Sequence, residues 1–326
     1  MPACLSKSDS PLVCANYYPW WDQQKWAEGV TDTPTLGKYE SNDPEIISQH
    51  LAWAAQAGID CFVVEWCGKP GSPTDRVFQK MISFEDTRGI DFCIFYDSAI
   101  NLTPKWECRS SQDFDAPFDE GRTKGQKFLD DMAHISRYFE SPNYLKLNGK
   151  PVVYFYPVAG WSGDNLEAIM EEYDSSYKTY DVADVMGWLP DDVSQQNWNF
   201  WSKHFEAITG GIMHCEECIQ DPQRDQFFPS EIQRRIAEYR EEALKHDMGF
   251  IPPVIVGYDD RWNTPIPRES GDTLRQSWGI AMDNLDGVHN MVNIQTFNEW
   301  HEGSEIEPSM EYGTFYLDLL SGLVGQ

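Results

Sequence analysis

Two carboxylate residues near the C-terminal end of the chain have a spacing that suits acid–base chemistry. Glu299 and Glu302 stand three residues apart in the segment 298–303, Asn-Glu-Trp-His-Glu-Gly, and residues 292–297 before it have the composition of a strand. Two acids held in one cleft cannot ionise equally, so one favours an acid role and the other a base role. A Glu-x-x-Glu pair is also typical of a solvent-exposed helix face. The strand and the Trp, His and Gly of the turn favour a carbohydrate-active site.

The charge of the chain restricts its partners. It carries 25 Lys and Arg against 53 Asp and Glu, a net charge of −28, without a basic run. This excess argues against nucleic acid and anionic membranes as partners, and it disfavours polyanionic substrates unless a local basic pocket overrides the mean field. Either a well-solvated acidic surface or adaptation to high salt, where screening relieves self-repulsion, accounts for the charge.

The length of 326 residues suits one α/β barrel, so we expect residues 1–326 to form a single catalytic domain. No run of about eighteen uncharged apolar residues exists, and no membrane span is predicted. Residues 1–7 lack the apolar stretch of a secretion signal, which predicts either a cytoplasmic protein or an exported one whose leader is absent from this sequence. Nothing in the sequence indicates an oligomeric state.

The cysteines predict packing more than metal binding. Cys14, Cys61 and Cys93 fall inside apolar runs and are expected to be buried thiols. His214 precedes a Cys-x-x-Cys segment at residues 215–218, which has metal-like spacing. One such segment without a second pair is weak evidence for zinc, so a local disulfide or two free thiols is the preferred interpretation. No metal or cofactor is predicted.

Apolar runs alternate with segments of helical periodicity along the chain. The predicted strands are residues 12–19, 59–66, 90–96, 151–158, 183–189, 205–213, 250–258 and 292–298. The predicted helices are residues 43–57, 74–88, 121–140, 164–179, 193–203, 230–247, 271–285 and 309–323. Eight alternations favour a parallel sheet closed into a single-domain (β/α)8 TIM barrel. An open doubly wound sheet usually carries a Gly-rich loop after its first strand, and Tyr-Tyr-Pro-Trp-Trp occupies residues 17–21 instead.

A barrel requires its functional residues just beyond the carboxyl ends of the strands. Aromatic residues stand there among acids and amides, as pyranose binding needs, because sugar C–H faces stack on rings and hydroxyls bond to polar groups. Around the acids Glu299 and Glu302, the candidate substrate-binding residues are Tyr17, Tyr18, Trp66, Lys69, Tyr96, Asp97, Tyr156, Tyr258, Asp259, Asn298, Trp300 and His301. Other residues at these strand ends are Trp20, Trp21, Glu65, Trp188, His214, Asp260 and Arg261.

Several segments resemble glycoside hydrolase family 99, which comprises endo-α-1,2-mannosidases and endo-α-1,2-mannanases. They are residues 13–21, 50–60, 65–69, 151–154, 257–260, 297–303 and 306–308. They occur in the order of the family, so the resemblance covers nearly the whole chain. The Asn-Glu-Trp-x-Glu-Gly motif at residues 298–303 is also similar to that of the WbsX-like proteins of polysaccharide gene clusters.

The resemblance implies a metal-free (β/α)8 barrel that retains anomeric configuration. Glu299 would be the general base and Glu302 the general acid, with the substrate's own 2-hydroxyl attacking C1 to give a 1,2-anhydro sugar, an exception to the two-carboxylate scheme. Asn298 would orient the sugar. The subsites would be lined by Tyr17, Trp66, Tyr156 and Tyr258.

Two departures from the family concern specificity. Cys67 stands where family members usually carry a second Trp or another aromatic, near the subsite beyond the cleaved sugar. Residues 261–268 follow the family's Arg-Pro-Trp-Asn pattern only loosely, which leaves open the identity of any arginine that contacts sugar.

The sequence therefore predicts a retaining, endo-acting glycoside hydrolase that cleaves α-mannosidic linkages of the 1,2 type. One alternative is a WbsX-like enzyme of polysaccharide assembly or tailoring. Another is a non-catalytic sugar-binding barrel, against which the presence of both motif acids argues.

Overall fold

The central element of the protein is a parallel sheet. The computed structural model describes residues 10–103, 111–185, 194–210, 224–261 and 265–325. The strands of the main sheet are β1 (Leu12–Tyr17), β2 (Cys61–Trp66), β3 (Asp91–Asp97), β4 (Lys150–Tyr156), β5 (Tyr180–Asp184), β6 (Ala207–Thr209), β7 (Gly249–Phe250), β8 (Pro253–Ile255) and β9 (Met291–Gln295). Short flanking strands are Gln112–Asp113, Pro117–Asp119, Arg122–Thr123, Lys146–Leu147 and Trp161–Ser162.

The sheet closes on itself. Its neighbours run in the order β7, β6, β5, β4, β3, β2, β1, β9, β8, and each of these pairs is parallel. Between β7 and β8, Ile251 donates its N–H to the carbonyl of Ile208 at 2.9 Å, and the carbonyl of Pro252 accepts from Asn293 N–H at 3.1 Å. The strands β7 and β8 are thus two pieces of one seventh barrel strand, and the predicted α/β barrel is confirmed.

Helices follow the strands. They are α1 (Gln23–Ala27), α2 (Pro44–Ala57), α3 (Pro73–Ile82), α4 (Ser98–Asn101), α5 (Lys124–Ile135), α6 (Leu166–Ser176), α7 (Gln195–His204), α8 (Arg224–Lys245), α9 (Asp272–Asp283) and α10 (Phe315–Val324). Helix α2 begins where predicted, because the Asp43 side chain accepts the N–H of Glu45 and Pro44 occupies the first turn. It ends at Gly58, whose φ of 78° is the left-handed conformation that glycine adopts readily.

Each strand differs from its predicted bounds by at least one residue, and for two strands the sequence shows the reason. The fifth was predicted at residues 183–189 and begins instead at Tyr180. The polar Asp181 can lie buried in this strand because the hydroxyl groups of Thr179 and Tyr173 donate hydrogen bonds to its carboxylate. The seventh, predicted as continuous over 250–258, is interrupted at Ile251 and Pro252, because Pro252 and Pro253 lack the N–H groups that a ladder needs.

The barrel interior contains the three predicted thiols. Cys14, Cys61 and Cys93 are free and fully buried, with Cys61 Sγ 3.8 Å from Cys93 Sγ. Burial contributes to raising the pKa of each thiol. Trp188 and the His214, Cys215 and Cys218 segment lie outside the described residues. Within the described ranges, no three His, Cys, Asp or Glu residues are grouped to hold a metal ion, and no helix is long and apolar enough to cross a membrane.

Candidate active site

A cavity of about 800 Å³ lies at the carboxyl ends of the strands, within the size range of small-molecule sites. It is lined by residues at or beyond the ends of β1, β2, β3, β4, β5 and β9 and by helix α1. The polar and aromatic members of the lining include Asn16, Tyr18, Trp20, Lys25, Glu28, Glu65, Lys69, Asp97, Tyr156, Asp184, Glu299, His301 and Glu302. The two motif glutamates therefore share one cavity with several of the predicted residues.

Hydrogen bonds fix the turn that carries the two glutamates. Thr296, just beyond β9, donates its N–H to the carbonyl of Ser304 at 2.9 Å and accepts the N–H of Glu299 on its hydroxyl at 2.8 Å. Gly303 has a φ of 56°, and a Cβ there would lie 3.2 Å from the carbonyl oxygen of Asp259. The turn consequently has one conformation that presents Glu299 and Glu302 to the same cavity.

The two glutamates have unequal surroundings. Burial first, and then the charges of Glu299 and Asp260, raise the pKa of Glu302 from 4.5 to about 8. Glu299 instead accepts the backbone N–H of His301 on Oε1 at 2.9 Å, and Nδ1 of the same histidine lies 3.2 Å from that oxygen. Its other oxygen, Oε2, has no partner among the described residues. The raised pKa of Glu302 equips it to give a proton near neutral pH, and the open Oε2 of Glu299 is placed to accept one.

A second pair of acids lies in the cavity. Glu65 at the end of β2 and Asp97 at the end of β3 are both buried and both line the cavity. Burial, Asp97 and Glu299 raise the pKa of Glu65 well above its ordinary value. Glu65 and Asp97 thus add to the carboxyl groups of Glu299 and Glu302 in the cavity, and the charges of these four groups oppose one another.

Three residues that were predicted to contact the ligand face away from the cavity. Tyr17, Trp66 and Tyr96 have no exposed surface and do not line the cavity. Each points toward a helix, where the Tyr17 hydroxyl lies 2.9 Å from His50 Nδ1, the Trp66 indole donates to Asp75 and the Tyr96 hydroxyl donates to Asp131. Successive strand side chains face opposite sides of a sheet, so the cavity receives their neighbours Tyr18, Glu65 and Asp97.

Asn298 and Trp300 position the site without lining it. Asn298 is buried and pairs with the backbone of Tyr18, accepting its N–H at 2.7 Å and donating to its carbonyl at 3.0 Å. The Trp300 indole is buried as well and donates to Glu307 Oε2 at 3.0 Å. Asn298 thus holds Tyr18 at the cavity, and its predicted role in orienting the sugar stays a prediction.

Residues after the seventh strand support the same turn from outside the cavity. Tyr258 is buried and donates to Asp260 at 3.0 Å, and Asp259 donates its N–H to the carbonyl of Glu302 at 2.6 Å. Neither side chain lines the cavity. Arg268 is also buried and donates to the carbonyl of Gly303 at 2.8 Å. This arginine braces the turn and does not face the cavity.

The structure places further residues in the cavity that the predicted set lacks. Trp20 lies with its ring centroid 4.8 Å from that of Tyr18, and its indole N–H has no acceptor among the described residues. Glu65 and Trp20 stand at predicted strand ends. Because successive side chains of a strand face opposite sides of the sheet, this alternation was the signal in the sequence that could have identified them as cavity residues. Lys25 comes from α1 and Glu28 from the C-terminal cap of this helix, for which the sequence carried no such signal.

Solved structures of low identity share this fold. A glycoside hydrolase-like protein has a TM-score of 0.76 at 17% identity, with 99% of this chain and 96% of that chain covered. The GH99 endo-alpha-mannosidase from Bacteroides thetaiotaomicron has a TM-score of 0.67 at 20% identity, with 96% of each chain covered. The fold is that of the family 99 glycoside hydrolases.

Sequence relatives are distant. The rat glycoprotein endo-alpha-1,2-mannosidase is 23% identical over 314 residues, covering 89% of this chain and 60% of the rat protein. A Xanthomonas campestris pv. campestris protein, the uncharacterized WxcX, is 21% identical over 314 residues, covering 87% of this chain and 42% of that protein. This chain thus spans about half the length of these relatives. The sequence model of the family described as Glycosyltransferase WbsX matches residues 31–320, so the chain belongs to the WbsX family.

Proposed function

We propose that the protein is a retaining glycoside hydrolase that cleaves α-mannosidic linkages, of the 1,2 type, inside mannose-containing oligo- or polysaccharides. The observation that carries this proposal is the unequal pair of acids on one turn. Glu302 has a pKa raised to about 8, while Glu299 accepts from His301 on one oxygen and leaves the other without a partner among the described residues. Similarity to endo-α-mannosidases supports the choice of sugar.

In the first step, Glu299 takes the proton of the substrate's 2-hydroxyl group. The freed O2 attacks C1 as the bond from C1 to the leaving oxygen breaks, and Glu302 gives its proton to that oxygen. The products of this step are the shortened sugar chain and a 1,2-anhydro sugar. Glu299 is then protonated and Glu302 ionised.

In the second step, Glu302 removes a proton from a water molecule, and the water oxygen attacks C1. The bond from C1 to O2 breaks, and Glu299 returns its proton to O2. Two inversions at C1 leave the original anomeric configuration. Both acids finish in their starting protonation states, so no cofactor is consumed.

The position of the acids favours this route over a carboxylate nucleophile. In an ordinary retaining enzyme two carboxyl groups about 5–5.5 Å apart flank the bond, and one of them attacks C1 itself. Here Glu299 and Glu302 share one turn whose backbone is fixed by Thr296 and Ser304. Nucleophile and acid in barrel glycosidases commonly come from different strands, which leaves Glu65 and Asp97 as the rival nucleophiles.

A second candidate function is sugar transfer during polysaccharide assembly, and the description of the matching family as Glycosyltransferase WbsX favours it. The same two steps would serve transfer if an acceptor hydroxyl replaced the water. Gene neighbours encoding glycosyltransferases would favour assembly, and carbohydrate importers would favour hydrolysis.

The decisive experiment is incubation with α-1,2-linked mannosyl and glucosyl-mannosyl oligosaccharides and with α-mannans, followed by product analysis. Hydrolysis should release oligosaccharides from inside the chain, and NMR of the first product should show the α-anomer. Activity that appears only after an acceptor sugar is added would favour transfer. Release of the inverted β-anomer would contradict the proposed mechanism.

A further inference from the structure

Glu65 and Asp97 differ in the hydrogen bonds available to them. Their strands pair in parallel with Trp66 opposite Tyr96, which places the two carboxyl groups on neighbouring strand ends. Glu65 is 2% exposed, and among the described residues its carboxyl oxygens have no hydrogen-bond partner other than the neighbouring carboxyl group of Asp97. Asp97 accepts the backbone N–H of Ile100 at 3.2 Å. A donor therefore supports the charge of Asp97, and none supports the charge of Glu65.

An ionised carboxylate without donors is costly to bury, and a second charge beside it adds to the cost. Burial, Asp97 and Glu299 accordingly raise the pKa of Glu65. Burial raises the pKa of Asp97 only to about 7, because backbone N–H groups and a hydrogen bond with Glu65 oppose the effect of burial. The titratable groups that interact with Glu65 include Tyr18, Cys67, Asp97 and Glu299, and none of these four is a cation. The pair thus retains one proton, which Glu65 carries.

A donor and an acceptor fixed side by side suit two adjacent sugar hydroxyls, since one hydroxyl can accept while the other donates. We propose that Glu65 and Asp97 bind a vicinal diol of a neutral sugar, with Glu65 as the hydrogen-bond donor and Asp97 as the acceptor. This inference rests on the carbohydrate substrate of the proposed function and adds a recognition site to the Glu299 and Glu302 turn. A cationic amino sugar is the competing ligand and would need both groups as carboxylates.

The binding test uses the whole chain in a Glu302→Gln background, which stops turnover and removes another acid of raised pKa. An α-1,2-linked mannotetraose is titrated by calorimetry into this parent and into three double variants. These add Glu65→Gln, Glu65→Leu or, as a control on the exposed face of α6, Glu172→Gln. We expect Glu65→Gln to weaken binding by up to about tenfold, since an amide still donates, and Glu65→Leu by roughly a hundredfold.

The pH dependence separates a donor role from mere space filling. The parent should bind at least about fivefold more weakly at an alkaline pH than near neutral pH, because the pair loses its last proton as the pH rises through the raised pKa of Glu65. The Glu65→Gln variant should lose this dependence, since its amide does not titrate. The Glu172→Gln control should follow the parent at both pH values.

A measurement on the ligand-free protein does not depend on the choice of sugar. The infrared difference spectrum between the parent and the Glu65→Gln variant near neutral pH should contain the carbonyl stretch of a protonated carboxylic acid. The difference between the parent and Glu172→Gln should lack it. Each variant's thermal unfolding is recorded beside the spectra, so that a misfolded Glu65→Leu variant is recognised and the Glu65→Gln data decide.

The outcomes are distinct. Binding by a folded Glu65→Leu variant equal to that of the parent would overturn the inference, as would absence of the infrared signal. Equal losses for the Gln and Leu variants would show that ionised Glu65 is needed and would favour the amino sugar. A parent that shows the infrared signal and binds no mannotetraose would refute the α-mannoside assignment while the donor state of Glu65 stands.

Discussion

His50 Nε2 lies 3.1 Å from Glu307 Oε1, although 257 positions separate the two residues in the chain, and neither side chain has exposed surface. Glu307 also accepts the Tyr39 hydroxyl at 2.7 Å and the Trp300 indole N–H at 3.0 Å. His50 in turn lies 2.9 Å from the Tyr17 hydroxyl. This buried network connects β1 and α2 to the turn that carries the two motif glutamates.

We expect Glu307→Gln to destabilise the protein by about 1–3 kcal/mol and to lower kcat. The glutamine N–H₂ group would replace a carboxylate oxygen that accepts hydrogen bonds, so it would face the donors that this oxygen now binds. Urea unfolding measures the first effect and steady-state kinetics the second. Glu311→Gln, on the exposed part of the same segment, serves as the matched control. An unchanged unfolding free energy for Glu307→Gln would exclude the network as a support of the turn.

Glu299→Gln and Glu302→Gln should each reduce kcat by about 10²–10⁴-fold while thermal unfolding and ligand binding change little, since glutamine keeps the volume and loses the ionisation. A glycosyl fluoride should partly restore the Glu302 variant, because fluoride needs little protonation to depart. The Glu299 variant should gain nothing from the same substrate. Either variant retaining more than roughly a tenth of the wild-type rate would remove that residue from the mechanism.

Activity should fall as the pH rises through about 8, the raised pKa of Glu302, because the proposed general acid must be protonated when the bond breaks. Glu299, Asp260 and Tyr18 are the titratable groups around this carboxyl. The dependence of kcat on pH, measured with an unactivated oligosaccharide, tests whether activity falls in the alkaline range. With a glycosyl fluoride the alkaline loss should shrink, and an identical profile for both substrates would argue against Glu302 as the acid.

Substrates altered at C2 should report the attacking group. If the 2-hydroxyl is the nucleophile, 2-deoxy and 2-fluoro sugars should be inert and should leave no sugar attached to the protein. Intact-protein mass spectrometry after incubation with a 2-fluoro glycosyl fluoride tests this. A covalent adduct on Glu299, Glu65 or Asp97 would refute participation of the hydroxyl while keeping the hydrolase assignment.

Chelation should leave activity intact. The proposed steps use only carboxyl groups and water, so enzyme dialysed against EDTA is expected to keep its full rate. The Cys215→Ser variant is expected to be close to wild type. Loss of activity with EDTA and its return with zinc or calcium would direct attention to the segment of His214, Cys215 and Cys218.

The regular features of the fold could be predicted because they depend on local sequence. The order of strands and helices followed from apolar periodicity, and the bounds of α2 followed from Asp43 and Gly58. The break at Pro252 was visible in the sequence, but the closure of the sheet around it depends on the distant residues Ile208 and Asn293. Such pairing between distant segments has no signature in one sequence.

The site was predicted less completely, for a geometric reason. The strands that carry the site were identified, but the side of the sheet that each residue faces depends on a one-residue offset. Trp66 was therefore assigned to the cavity, where the structure has Glu65. The position of Lys25 in the cavity depends on where α1 packs, and only the folded chain determines that.

The alternation along β1, β2 and β3 has a consequence for redesign of specificity. Positions 18, 65 and 97 alter what a ligand meets, whereas positions 17, 66 and 96 alter how the helices dock on the sheet. Substitutions in the two sets act on different contacts, so the first set should change mainly ligand choice and the second mainly stability. A variant library restricted to positions 18, 65 and 97 should change sugar preference and leave the barrel folded. A library that also randomises positions 17, 66 and 96 should contain many variants that do not fold.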